Sequence, residues 1–239
     1  MIEHVKVLAA LVIGSASFLG SVQRSSATTS AVTAIDILLN PDETVIKAAE
    51  AVNARMLRDF PKGFSLDATH RPHITLLQRY VRTADLDNIY TVVDRIFRKE
   101  AVTGFKLKAT KHYYIPSGEI GLSGIVIETT ADLLRLQQEL IDAVAAFTVK
   151  SGTSAAFITA PGDPEINQGT MHYIEVFVPE HSGTKFLPHV STGIATRAYL
   201  DKMMAEPFES FTFSPIGAAI YHLGDFGTAR TELRAFDVK

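Results

Sequence analysis

The stretch RPHITLLQRY (residues 71–80) reads as a β-strand with one buried and one polar face. Successive strand side chains point to opposite sides, so His73 and Thr75 share one face while Ile74 and Leu76 take the other. A second stretch, LPHVSTGIAT (residues 187–196), repeats the arrangement with His189 and Ser191. Ten prolines and eight histidines in 239 residues predict only about 0.3 Pro-His pairs by chance. Two occur, and each continues with a β-branched aliphatic residue and then Thr or Ser. One copy alone reads as a strand histidine satisfied inside the core. Two copies in matching contexts point to a paired site.

The chemistry supplies a reason for the pairing. Brought together, the two strands form a groove lined by two imidazoles and two hydroxyls. In-line displacement at phosphorus needs a base beside the attacking oxygen and an acid beside the leaving oxygen. Histidine alone has an unperturbed pKa that lets two copies hold opposite protonation states near neutral pH. The hydroxyls of Thr75 and Ser191 can donate to the non-bridging oxygens, where charge accumulates. The scheme calls for no metal and no cofactor, and which histidine is the base stays open.

Outward from these strands the chain alternates strand-like and helix-like pieces. VTAIDILL (residues 32–39) is a strand with Ala34, Asp36 and Leu38 on one face. Asn40 as N-cap, Pro41 as first helical residue and Glu43 at the third position open an amphipathic helix ending near Pro61. A second helix begins at Thr83, with Leu86, Ile89, Val93, Ile96 and Phe97 on its apolar face. A hairpin spans residues 105–128 over a PSGEIG turn. Thr130 caps a third helix bearing Leu133, Leu136, Leu140, Val144 and Phe147. Residues 150–170 read as a loop, YIEVFV (residues 173–178) as a strand, and residues around Tyr199, Leu200 and Met203 as a short helix that stops before Pro207. FTFSPIGAAIYHL and ELRAFDV close the chain as strands. The fold class is α+β, and the two Pro-His strands occupy corresponding places in a duplicated or pseudo-symmetric unit.

Composition narrows the function classes. A net charge of −3 gives no extended nucleic-acid surface, so a nucleotide substrate is small or is read only at its end. The absence of cysteine excludes disulfides, thiolate catalysis and Cys-based zinc sites. The first residues differ from the rest: Lys6, an uncharged run from Val7 to Gln23, then Ser25-x-Ala27. This reads as a signal peptide over residues 1–27, with an uncleaved N-terminal membrane anchor as the alternative. Either places the domain of residues 28–239 outside the cytoplasm. Cleavage would leave a secreted or periplasmic monomer with no stable membrane association.

Two H-x-[S/T] motifs, at His73-Ile74-Thr75 and His189-Val190-Ser191, resemble the two-histidine phosphoesterase superfamily, in its branch of 2′-5′ RNA ligase-like proteins and cyclic phosphodiesterases. The resemblance covers nearly all of residues 32–239. It implies a bilobal, pseudo-two-fold α+β fold. Each lobe is then an antiparallel-rich sheet with helices on its outer face, and the active cleft lies between the lobes. It also implies metal-independent hydrolysis of a 2′,3′-cyclic phosphate or a 2′-5′-type nucleotide or RNA-end ester. His73 and His189 would be catalytic, and Thr75 and Ser191 would bind the phosphate. The chain departs from the pattern in carrying Ser191 for the commoner threonine, and Thr192 where an aliphatic residue is usual.

Other residues are secondary candidates. Tyr80, Tyr113, Tyr114 and Tyr221 could stack a nucleobase, against the simpler reading that each packs in the core or a strand. His70 reads as entry loop, His112 and His222 as strand positions that could line a cleft, and His172 and His181 as surface. No spacing suggests a dedicated metal site. Two rivals to the enzyme remain: a non-catalytic nucleotide- or RNA-end-binding module with the same cleft, and a secreted domain with structural histidines.

Overall fold

The computed structural model describes residues 31–161 and 163–238; the leader read at residues 1–27 lies outside the described residues. The strands are β1 (Val32–Pro41), β2 (Ile74–Arg82), β3 (Leu107–Ser117), β4 (Ile120–Ile127), β5 (His189–Thr196), β6 (Phe211–Phe213), β7 (Pro215–Leu223) and β8 (Ala229–Phe236). The α-helices are α1 (Glu43–Asp59), α2 (Leu86–Lys99), α3 (Ala131–Val144), α4 (Gln168–His181) and α5 (Arg197–Met204). The strands form two antiparallel four-stranded sheets, in the orders β2-β1-β7-β8 and β5-β4-β3-β6. The fold is therefore α+β with two matching sheets. Each motif strand is an edge strand, and the two edges approach one another.

Apolar periodicity accounts for most of this. Val45, Ala49, Val52 and Met56 form the buried stripe of α1, and Leu133, Leu136, Leu140 and Val144 that of α3. Helix α1 follows a strand of the first sheet yet packs on β5 of the second, while α3 and α4 pack on β2. Asn53, buried on α1, fastens that crossing. Its amide donates to the carbonyls of Thr192 and Phe64, and its oxygen accepts from the N–H of Leu66.

Four local expectations are corrected. Residues 173–178 lie within α4, not in a strand. The Asn167 side chain caps that helix by accepting from Thr170 N, and Thr170, Ile174 and Phe177 are buried at helical spacing. Its run of Tyr, Ile, Val and Phe carries strand propensity, which tertiary packing overrides. Helix α1 is capped by Asp42 rather than Asn40, because Asn40 and Pro41 still pair with β7. Thr83 begins a 3₁₀ turn, not α2, and its hydroxyl pairs with that of Thr33. FTFSPIGAAIYHL is two strands in different sheets, broken at Ser214, whose N–H donates to Asp42 before Pro215.

The two motif strands share one further feature. In the β1–β2 ladder Leu38 faces Thr75 and Ile37 faces Leu77, so Leu76 is an extra residue. In the β4–β5 ladder Gly124 faces Ser191 and Ser123 faces Gly193, so Thr192 is the extra residue. Each motif thus carries a β-bulge immediately after its hydroxyl residue, which bends the strand and re-aims its side chains.

Candidate active site

Both proline residues prepare the histidines. Proline holds its own φ and keeps the preceding residue extended. The carbonyl two residues before each histidine then sits against its ring. His73 Nδ1 donates to the Arg71 carbonyl (2.7 Å), and His189 Nδ1 donates to the Leu187 carbonyl (2.9 Å). Both rings are thereby oriented alike, with Nε2 left to face other groups. Ile74, Leu76, Val190 and Thr192 are buried on the opposite side, whereas His73, Thr75, His189 and Ser191 are half-buried.

All four of these residues line one cavity of about 290 Å³. Gln78, Leu122, Thr170, Tyr173, Ile194 and Phe226 complete much of its wall, and none of the described residues lining it is Lys or Arg. A second cavity of about 230 Å³ shares Thr75, Tyr173 and His189 with the first and adds Tyr113, Phe177 and His181. Among the described residues no group of three or more His, Asp or Glu side chains is placed to hold a metal ion.

The two imidazoles differ sharply in their partners. Nε2 of His73 lies 3.3 Å from Oδ2 of Asp36, a fully buried carboxylate on β1. The same Oδ2 accepts from the Thr75 hydroxyl (2.7 Å) and the Gln78 amide (3.0 Å). Thr75, read as a phosphate donor, thus donates to Asp36 in this structure. Nε2 of His189 has no hydrogen-bond partner among the described residues, and the ring meets Tyr113 edge-on at 5.0 Å. Burial by itself would push His73 down. The Asp36 contact and charge, with the Arg71 carbonyl, override it, and His73 sits above the ordinary histidine pKa. Burial pushes His189 below that value, the Leu187 carbonyl opposing and the neighbouring His73 charge adding to the drop.

Of the four stacking candidates Tyr113 lines the second cavity against His189, and the other three lie elsewhere. Tyr80 is buried in a satellite core with its hydroxyl on the Met171 carbonyl, and Tyr221 is buried with its hydroxyl on Glu232. Tyr114 bonds Asp201 on α5. None of the three lines the cavity. The aromatic faces that reach it are Tyr173, which rides on α4, and Phe226. Phe226 projects from a turn at φ +56°, a left-handed conformation rare for a non-glycine residue. Its N–H donates to Thr170 Oγ1, and Asp225 beside it accepts from Asn167 and Thr170, so the turn is tied to the start of α4.

Of the remaining histidines, His181, read as surface, lines the second cavity and packs at a tilt against Tyr173. His70 stacks on Phe64 beside Arg230 at an adjoining cavity. His112 packs on Phe208 and His222 meets the Ala156 carbonyl, neither in the main cavity. Asp36 is the participant that strand reading passed over, although a lone charge within VTAIDILL was its signal.

No protein-family model matches the sequence, and no curated protein matches it. Solved structures do match. TT0787 of Thermus thermophilus is 19% identical, with 85% of this chain and 97% of that chain covered at a TM-score of 0.50. E. coli LigT complexed with ATP is 12% identical over 88% of this chain and 99% of that chain, at a TM-score of 0.44. Kluyveromyces marxianus Usb1 is 10% identical over 85% and 98%, at 0.39. The likeness is one of architecture: the chain shares the α+β fold of TT0787 across most of its length.

Proposed function

We propose that the protein is a phosphodiesterase that opens a small cyclic phosphate diester, of the 2′,3′-cyclic nucleotide or RNA-end kind, by acid/base catalysis between His189 and His73. The observation that carries this reading is the unequal surroundings of two identically oriented imidazoles in one cavity. His73 presents both ring nitrogens to acceptors, a carbonyl and a carboxylate, an arrangement that favours a proton on each. His189 donates from Nδ1 only, which leaves the Nε2 lone pair for a proton.

In the resulting cycle His189 Nε2 takes a proton from water as its oxygen bonds to phosphorus. The bond from phosphorus to the sugar oxygen breaks, and that oxygen receives the Nε2 proton of His73. The product is a phosphomonoester with a free hydroxyl, and the histidines exchange their protons back through solvent. Ser191 and, once released from Asp36 by substrate, Thr75 donate to the non-bridging oxygens. With no Lys or Arg among its described lining residues, the cavity favours a substrate with a single phosphate over a polyphosphate or a long polyanion. Tyr173 and Phe226 offer the stacking faces that a base would use. The leader read at residues 1–27 would place this activity outside the cytoplasm.

Hydrolysis of 2′,3′-cyclic mononucleotides by the wild type, His73→Ala and His189→Ala, with and without a chelator, tests the proposal. Turnover that either alanine variant abolishes and the chelator leaves intact supports it. Full activity in a single variant, or loss on chelation, refutes it. Saturable binding without product would favour the non-catalytic binding module.

A further inference from the structure

The pseudo-symmetry makes it possible to ask which residues break the equivalence of the two histidines. Counting along each ladder from the hydroxyl residue and across its bulge, the cross-strand pair Asp36–Gln78 in the first sheet corresponds to Leu122–Ile194 in the second. Asp36 of the polar pair contacts His73, whereas the apolar pair, in the corresponding place of the His189 sheet, lines the cavity without a charge.

Asp36 is costly where it stands. It is fully buried in an apolar strand, and its Oδ1 has no hydrogen-bond partner. A carboxylate kept only to brace the fold would have both oxygens satisfied. Its other oxygen instead gathers Thr75, Gln78 and the His73 ring, the groups nearest the chemistry on that side.

We propose that Asp36 is a positioning residue that makes His73 the acid of the pair, holding its ring as an imidazolium with the proton on Nε2 and aligning the Thr75 hydroxyl beside it. The inference rests on the two-histidine reading above and adds the direction of proton flow. Substrate entering the cavity takes over the Nε2 proton and the Thr75 donor, and Asp36 remains beneath to stabilise the cation until transfer. After transfer His73 is neutral, and Asp36 promotes its reprotonation from solvent.

The groups facing this centre are few. Asp36 comes from β1, and Tyr221 lies opposite it on β7 with its hydroxyl on Glu232. His189 comes from β5, Tyr173 and His181 from α4, and Arg71 precedes His73. Burial raises both Tyr173 and Tyr221, and burial lowers His181. The tyrosines therefore stay neutral through the pH range in which the histidines titrate.

The test pairs kinetics with histidine NMR on the substrate-free protein. In wild type His73 should titrate above His189, with resonances assigned from His73→Gln and His189→Gln. Asp36→Asn should lower the His73 pKa by about one to three units, the usual effect of removing an adjacent opposite charge. The alkaline limb of kcat/KM for 2′,3′-cyclic AMP should move down with it. The loss should grow with pH, reaching roughly tenfold or more at pH 8 and being several-fold smaller at pH 6, since fewer molecules hold the acid protonated at the higher pH. An unmoved alkaline limb, or a uniform loss at all pH with unchanged histidine titrations, would overturn the proposal. If Asp36→Asn does not fold, the wild-type titration still decides, because His73 titrating at or below His189 is incompatible with it. Active His73→Ala or His189→Ala enzyme would instead remove the underlying acid/base reading, whatever the titrations show.

Discussion

Strands β2 and β5 are built to one plan and differ most in the cross-strand pair beyond the bulge. Each is a sheet edge, each enters through a proline that turns a carbonyl onto histidine Nδ1, and each bulges after its hydroxyl residue. That pair is Asp36–Gln78 in the first sheet and Leu122–Ile194 in the second. Shared features orient two rings alike, while Asp36 raises the His73 pKa and burial, with no such carboxylate partner, lowers that of His189. A symmetric scaffold can thus supply geometry to a reaction whose two ends are chemically unlike.

The comparison breaks most severely if a ring is removed. His73→Ala and His189→Ala should each lower kcat/KM for a cyclic nucleotide by roughly 10²- to 10⁴-fold with the fold retained. The double variant should lose less than the product of the two, because the residues act as a unit. Circular dichroism beside the kinetics separates this from unfolding. Next come the hydroxyls: Thr75→Val and Ser191→Ala should each cost on the order of ten- to a thousandfold in turnover. Unchanged rates in both would place the phosphate elsewhere.

The pH profile sharpens the comparison. The acid must be protonated, so activity falls as pH rises through the raised pKa of His73. The base must be unprotonated, so activity falls as pH drops through the lowered pKa of His189. The two limbs should therefore straddle the ordinary histidine value of about 6.5, leaving a plateau between them. A profile with one limb only would contradict the assignment. Leu122→Asp offers the mirror experiment, since a carboxylate at the position equivalent to Asp36 should raise the His189 pKa. The acid limb should then move to higher pH, with roughly tenfold less activity at pH 6 and little change at pH 8.

The smallest effect concerns stability. Asn53→Ala would strip hydrogen bonds from Thr192, Phe64 and Leu66 where α1 crosses to β5, and should cost about 1–3 kcal/mol. A lowered thermal midpoint with a retained pH profile is the expected result. An unaltered midpoint would mean that the crossing is held by apolar packing alone.

Period-two alternation was enough to put His73 with Thr75 and His189 with Ser191, because a strand's pleat assigns faces without reference to any partner. Repetition of Pro-His then made the two strands a pair, and helical spacing at Leu133, Leu136 and Leu140 needed no tertiary information either. Tyr173 and Asp36 depended on more. The residues around Tyr173 favour a strand locally, and only the Asn167 cap and burial against β2 make them a helix that carries Tyr173 into the cavity. Asp36 meets Thr75 across 39 positions of sequence, and its place beside the ring depends on the register of β1 on β2 and the extra residue at Leu76. Registers and bulges are settled by long-range pairing and burial, which no window along the chain contains. The two paired histidines can therefore be found from local pattern, whereas the direction of proton transfer proposed for them rests on the folded sheets.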